Sequence, residues 1–264
     1  MALKVCIAGA TGWAGKPLTE AILKASDLEL VAAVSRSQKG ERFAGSDVII
    51  SATVEEALKA PVDVFVDYTR PEVVKEHVLT AIRKKIAVVI GTSGLLEEDF
   101  ADIDREARQN KVGVIAGGNF SITAILLEHF AKQAARYLSH WEILDLASSL
   151  KPDAPSGVSR QIAARLAEVQ KPQIDYPVEK TIGRPESRGT NYYGTQIHSV
   201  RLPGYVIQLE IIFSEAEERL VLRHEAGTGA EPYTKGALLA IRKVKEQIGL
   251  TRGLDHLLPF WSHD

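Results

Sequence analysis

The run Lys4-Val5-Cys6-Ile7-Ala8 leads directly into Gly9-Ala10-Thr11-Gly12-Trp13-Ala14-Gly15, and a helical pattern follows. Strand, glycine turn and helix, in that order, open a dinucleotide-binding βαβ unit. The spacing G-x-x-G-x-x-G is a variant of the dinucleotide fingerprint. Glycine permits a tight turn and a close backbone approach to a pyrophosphate. The helix behind it offers free N–H groups and a positive dipole end to the phosphates. Gly9, Thr11, Gly12, Trp13, Ala14 and Gly15 are therefore candidate cofactor-binding residues. A glycine turn of this kind also occurs for purely structural reasons, and the βαβ context is what favours a nucleotide.

Outward from this motif, short apolar runs alternate with helical patterns. Strands are expected at Lys4–Ala8, Leu28–Ser35, Val48–Ser51, Val62–Tyr68, Ala87–Gly91 and Val112–Ala116. Helices are expected at Ala14–Lys24, Val54–Lys59, Pro71–Arg83 and Glu97–Asn110. Several runs are rich in Val and Ile, as strands covered on both faces require. Alternation of this kind predicts a Rossmann-like, doubly wound, mostly parallel sheet. Near residue 118 the pattern changes. A helix at Thr123–Tyr137 and a run at Trp141–Ser149 are followed by a helix at Ser159–Val169. Strand-like segments then come at Thr195–Leu202, Tyr205–Phe213 and Arg219–His224. Ile207, Leu209, Ile211 and Phe213 alternate with Gln208 and Glu210, the signature of a half-exposed antiparallel strand. A last helix is expected at Tyr233–Gln247. The expectation is a dinucleotide-binding domain over 1–118, rejoined by 228–264, and a second α+β domain with an open mixed or antiparallel sheet over 119–227, for substrate binding and oligomerisation.

Composition narrows the class. The chain has 264 residues, 45% hydrophobic and 25% charged, with a net charge of −2. Such a balance gives no bulk electrostatic case for nucleic acid or an anionic membrane. No apolar run approaches the ~20 residues that span a bilayer, and the first ten residues read as a strand rather than a signal peptide. A cytoplasmic enzyme with a small-molecule substrate is the expectation. The single cysteine, Cys6, excludes an internal disulfide framework and reads as an inert buried thiol.

The end of the second strand bears on the cofactor. An acidic residue there would accept the adenosine ribose hydroxyls and favour NAD. Ser35 and Arg36 instead offer a hydroxyl and a guanidinium, which suit a 2′-phosphate, and Lys39 follows. NADPH is the expected cofactor, with NADH possible. Asp67-Tyr68-Thr69 and Gly91-Thr92-Ser93-Gly94 end the fourth and fifth strands, where ligands of a doubly wound sheet bind.

A further motif, Lys151-Pro152-Asp153-Ala154-Pro155-Ser156-Gly157, resembles the substrate-site signature of the 4-hydroxy-tetrahydrodipicolinate reductases (dihydrodipicolinate reductases) of lysine and diaminopimelate biosynthesis. Asp67–Thr69 and Gly91–Gly94 resemble that family's nicotinamide-side segments. Asn119-Phe120-Ser121 resembles its domain junction, Gly194–Gly204 a strand and turn, and Arg223-His224-Glu225 a later strand. The resemblance covers nearly the whole chain and implies an NAD(P)H-dependent reductase that passes hydride to a carboxylated cyclic imine or unsaturated acid. It implies cofactor contacts at Asn119 and Phe120, and a homo-oligomer, tetramer or dimer. Lys151 and Ser148 are then the catalytic candidates. Ser156, Gly157 and Val158 bind a substrate carboxylate, through N–H groups that open a helix. Arg188 adds a second carboxylate anchor, and His198 a further substrate contact.

One departure is central. The family carries a histidine pair where this chain has Ala147 and Ser148. In the resembling enzymes the first histidine is the proposed proton donor and the second helps hold the substrate. Ala147 does neither. Ser148 can hydrogen-bond a carboxylate but is a poor acid near neutral pH. Lys151, Tyr192, Tyr193 and His198 are the alternative donors. The segment Gly227–Tyr233 also departs from the family pattern. Two alternatives stand beside the leading reading. One is a repurposed reductase or dehydrogenase acting on another imine, amine or carbonyl. The other is a non-catalytic nucleotide-binding relative.

Overall fold

The computed structural model describes residues 2–258. The chain divides into two compact units, one formed by residues up to Ile122 and from Gly229 on, the other by Thr123–Thr228.

The first unit begins with β1 (Leu3–Ala8), α1 (Gly15–Lys24), β2 (Leu28–Val34), β3 (Ile50–Ser51) and α2 (Val54–Ala57). It continues with β4 (Val64–Asp67), α3 (Pro71–Arg83), β5 (Ala87–Ile90), α4 (Glu97–Asn110) and β6 (Gly113–Ala116). The second unit holds α5 (Ile122–Ala134), β7 (His140–Ala147), α6 (Gly157–Ala167), β8 (Thr190–Tyr192), β9 (Thr195–Arg201), β10 (Ile207–Ser214) and β11 (Arg219–Ala226). The chain then returns to the first unit with α7 (Glu231–Lys243) and β12 (Gly249–Arg252).

The first sheet is seven-stranded and parallel, in the order β12-β6-β5-β4-β1-β2-β3. Every residue of β4, β5 and β6 is buried. This is why the sequence shows continuous Val/Ile runs rather than alternation: helices cover both faces. Pro71 takes the first turn of α3, where its missing N–H costs nothing. Cys6 is a free, fully buried thiol, and burial pushes it up, beyond the range in which a thiolate forms near neutral pH. Arg242 of α7 pairs with Asp27 ahead of β2, tying the returning helix to the sheet it covers.

Two elements differ from expectation. Of the run Val48–Ser51 only Ile50–Ser51 joins the sheet. Residues before it fold back as a small hairpin, with Phe43 N–H donating to the Val48 carbonyl. Strand β12 lies at the sheet edge with one large apolar side chain, Leu250, so its sequence carries too little pattern to be recognised.

The second sheet is mixed, in the order β11-β10-β7-β9-β8. β10 runs antiparallel to β7 and β11, while β7 and β9 are parallel. β7 alternates strictly, with Trp141, Ile143, Asp145 and Ala147 inward. Ile143 and Ile197 pack with Leu209, Ile211 and Phe213 of β10 and with Leu127 and Ala131 of α5 and Ile162, Ala163 and Leu166 of α6. Burying each such aliphatic side chain stabilises the fold by about 1.5–3 kcal/mol. No helix among the described residues is long and apolar enough to cross a membrane.

Candidate functional site

The glycine turn of the first unit has no room for side chains at two positions. Gly9 has φ +80°, and a Cβ there would lie 2.1 Å from the Tyr68 carbonyl oxygen. A Cβ at Gly15 would lie 2.0 Å from the Gly9 carbonyl oxygen. The loop is thus pressed against the end of β4 and against its own helix. Gly9 N–H donates to the Val34 carbonyl, and Gly12 N–H closes the turn onto the Gly9 carbonyl. Helix α1 starts without a side-chain cap, since Ala14 has none to give. Its first turn is therefore available to an anion. Thr11 and Ser35 join the loop to the end of β2 through hydroxyls 2.7 Å apart. Beyond them Arg36 and Lys39 are exposed. Trp13 is 63% exposed and meets Tyr233 edge-on.

At the ends of β4 and β5 the arrangement corrects one expectation. Asp67 is fully buried, and both of its carboxylate oxygens have internal partners. Oδ1 receives the Thr69 N–H, the Thr69 hydroxyl and the Thr92 hydroxyl, and Oδ2 meets His77 Nδ1 at 2.9 Å. Asp67 therefore holds two loops in register, and its carboxylate is not presented to a ligand. Gly91 is required by the Tyr68 ring, which a Cβ would approach to 2.2 Å. Ser93 and Gly94 are exposed. Phe120 is 2% exposed, so its ring is core rather than contact surface, and Asn119 Oδ1 accepts the Ser121 N–H. A glycine loop closed to side chains and an uncapped helix start fit a pyrophosphate, and an exposed guanidinium beside Ser35 fits a ribose phosphate.

In the second unit the loop after β7 is held by two residues that sequence reasoning did not single out. Asp145 Oδ2 accepts from Ser156 N–H at 2.8 Å, Ser199 Oγ at 3.1 Å and Arg201 Nη2 at 2.7 Å. Arg201 Nη2 also reaches the Asp153 carbonyl at 2.7 Å. Burial pulls the Asp145 carboxyl up. The Arg201 guanidinium and the Ser156 N–H and hydroxyl outweigh it and leave the group below the usual carboxylate range. The signal was present: Trp141, Ile143, Asp145 and Ala147 share the inward phase of a strand, and an inward carboxylate requires a partner.

This brace corrects the reading of Ser156. Its N–H is committed to Asp145, and its hydroxyl caps α6 by accepting from Ser159 N–H. The N–H groups left at the start of α6 are those of Gly157 and Val158, which have no acceptor within the helix. Val158 packs its side chain against the core. Lys151 Nζ lies 2.6 Å from Asp153 Oδ1. That hydrogen bond, aided by the Gly157 N–H, holds the Asp153 carboxyl below its ordinary value. The Ser148 hydroxyl accepts the Leu150 N–H, and its carbonyl accepts the Lys151 N–H, so Ser148 shapes the turn that carries the lysine.

Arg188 and His198 do not join this loop. His198 Nε2 lies 2.6 Å from Glu142 Oε2, and Arg188 Nη2 lies 3.1 Å from Glu142 Oε1. Glu142 occupies the phase of β7 opposite to Asp145. It is three residues, about 10 Å, back along the strand from Asp145. The His198 hydrogen bond, with Arg188 beside it, holds the Glu142 carboxyl below its usual value against the effect of burial. Arg188 and Glu142 line a cavity of ≈ 410 Å³ with Trp141, Gln196 and the segment 172–176. The pair therefore belongs to the opposite face of the sheet. Alternation placed His198 on a strand without saying which neighbour it faces. Of the other proposed donors, Tyr193 is 59% exposed at a positive φ, and Tyr192 packs on the core. Among the described residues no group of three or more His, Cys, Asp or Glu is arranged to hold a metal ion.

Fold and loop together define a nicotinamide-dependent reductase. The profile of the dihydrodipicolinate reductase N-terminus matches residues 3–120 and that of its C-terminus residues 123–258. The chain belongs to the dihydrodipicolinate reductase family, pyridine-nucleotide-dependent oxidoreductases. It is 35% identical over 267 residues to the 4-hydroxy-tetrahydrodipicolinate reductase of Desulfitobacterium hafniense, covering 97% of this chain and 98% of that one. It is 34% identical to the enzyme of that name from Moorella thermoacetica, covering 98% of each. Among solved structures, the dipicolinate-bound dihydrodipicolinate reductase from Paenisporosarcina sp. TG-14 superposes with TM-score 0.88 at 30% identity. That match covers 98% of this chain and 100% of the other.

Proposed function

We propose that this chain reduces 4-hydroxy-tetrahydrodipicolinate, or a closely related carboxylated cyclic imine, with NADPH. The observation that carries this reading is the Lys151 ammonium 2.6 Å from the Asp153 carboxylate, in a loop that leads into the start of α6. The loop is built to hold a carboxylate, and the relatives named above act on a cyclic dicarboxylic acid. The Asp145–Arg201 brace fixes the loop backbone, so Lys151, Gly157 and Val158 meet the substrate in a preset geometry.

The nicotinamide supplies hydride, and the chain supplies position. Gly9, Thr11, Gly12, Trp13, Ala14 and Gly15 would hold the pyrophosphate, Ser35 and Arg36 the adenosine ribose. Thr69, Thr92, Ser93 and Gly94 would bound the nicotinamide, held in place by Asp67. An imine that already carries its proton accepts hydride without an added acid. That fits a site with Ala147 and Ser148 where the family has histidines. A carbonyl substrate would need a donor, and the loss of one costs about 10²–10⁴-fold. Lys151 is the one candidate donor that stands in the loop itself.

Arg36 and Ser35 support NADPH over NADH. The exposed apolar side chains Ile207 of β10 and Leu220 and Val221 of the edge strand β11 support assembly into a homo-oligomer, a tetramer or dimer. The metabolic role implied is cytoplasmic. The test is nicotinamide oxidation with the lysine-pathway substrate beside a panel of cyclic imino acids, in the parent and in Arg36→Ala. Turnover with NADPH that weakens in Arg36→Ala, with NADH use nearly unchanged, is expected. Equal dissociation constants for the two cofactors in the parent would contradict the cofactor assignment.

A further inference from the structure

The lysine assigned to the substrate already holds a carboxylate of its own chain. Asp153 lies two residues after Lys151, with Oδ1 2.6 Å from the ammonium. Its backbone does not drift, because its carbonyl is pinned by Arg201 Nη2 at 2.7 Å. Only its side chain is left to move. Both partners of the ion pair are about one-third exposed, at 33% and 38%. A pair that open to solvent is weakly held and exchanges readily. The contrast with Asp145 is informative: that carboxylate is 3% exposed, takes three donors and is a fixed part of the frame.

We propose that Asp153 is an internal stand-in for the substrate carboxylate, holding Lys151 while the site is empty and turning aside when a ligand carboxylate takes its place. This inference rests on the reading of the loop as a carboxylate site. Exchange of one carboxylate for another keeps the charge around Lys151 and the start of α6 constant. A ligand without a carboxylate cannot displace Asp153 at the same cost, so the residue also selects for an acid. The two alternatives give opposite signs. If Asp153 merely orients Lys151, its removal weakens ligand binding. If it competes with the ligand, its removal strengthens it.

The test is equilibrium binding of dipicolinate to the NADPH-loaded full chain, in the parent, Asp153→Asn, Asp153→Ala and both changes combined with Lys151→Ala. The expected result is a dissociation constant lowered about twofold to fivefold in Asp153→Asn, the scale of a partly exposed ion pair. Asp153→Ala should shift it in the same sense, and serves if the Asn variant does not fold. In the Lys151→Ala background the effect should vanish, which a general loosening of the loop would not produce. Unchanged or weaker binding in both Asp153 variants would overturn the inference while leaving the carboxylate site intact. No binding of dipicolinate to the parent would overturn the site reading itself, and the stand-in with it.

Discussion

Arg201 donates to Asp145 Oδ2 at 2.7 Å, and through the same Nη2 to the Asp153 carbonyl at 2.7 Å. One guanidinium thus joins the inward side of β7 to the far side of the Lys151–Gly157 loop. Their side chains are 16% and 3% exposed, so solvent does little to soften the pair. Removing Arg201 would leave a buried carboxylate with its strongest partner gone. Arg201→Ala should destabilise the chain by about 3–5 kcal/mol. Denaturant unfolding measures this, and a loss below about 1 kcal/mol would show that the brace is not what holds the loop.

Ala147 and Ser148 do not respond alike to restoration of the family's histidines. Ala147 takes the inward phase of β7 and is 2% exposed, while Ser148 is half-buried on the turn. An imidazole at 147 has to enter packed space, and overpacking costs typically about 1–3 kcal/mol. Ala147→His should therefore lower the melting temperature, whereas Ser148→His should leave it nearly unchanged. Thermal unfolding of the two single variants distinguishes them. Equal melting temperatures for the Ala147→His variant and the parent would show that the space is already there.

Stability should fall on mild acidification through His224. Burial pulls its imidazole below the ordinary histidine value of about 6.5, with Nε2 3.0 Å from Thr123 Oγ1. A histidine depressed in the fold binds its proton more readily in the unfolded chain. Its full contribution is present above pH about 6.5 and declines as pH falls from there towards the lowered folded value. His224→Gln should flatten this part of the curve. Denaturation midpoints at a series of pH values between neutral and mildly acid test it, and an identical slope in the variant would contradict the assignment.

Much of the fold was legible because a parallel sheet demands continuous Val/Ile runs, and all six expected strands of the first unit lie within two residues of their observed bounds. The failures share a cause. β8 and β12 are edge strands of three and four residues, and their stability comes from pairing rather than from their own pattern. In the candidate site, residue type and motif singled out Lys151 and the start of α6, but sequence cannot say which polar groups are already spent. Asp67, Ser156, Arg188 and His198 all have internal partners across 10 to 56 residues of chain. Asp145 and Arg201 show the converse. Their importance lies in a contact made by folding, although an inward aspartate on β7 was a visible sign of it.

Lys151 is the residue proposed to hold the substrate's carboxylate. Its most direct test is the pair of measurements on Lys151→Ala: steady-state NADPH oxidation with 4-hydroxy-tetrahydrodipicolinate, and the dissociation constant for NADPH. Turnover by the parent, its loss in the variant, and an unchanged cofactor dissociation constant are the predicted result. A variant that oxidises NADPH at the parent's rate on the best substrate found would contradict the account.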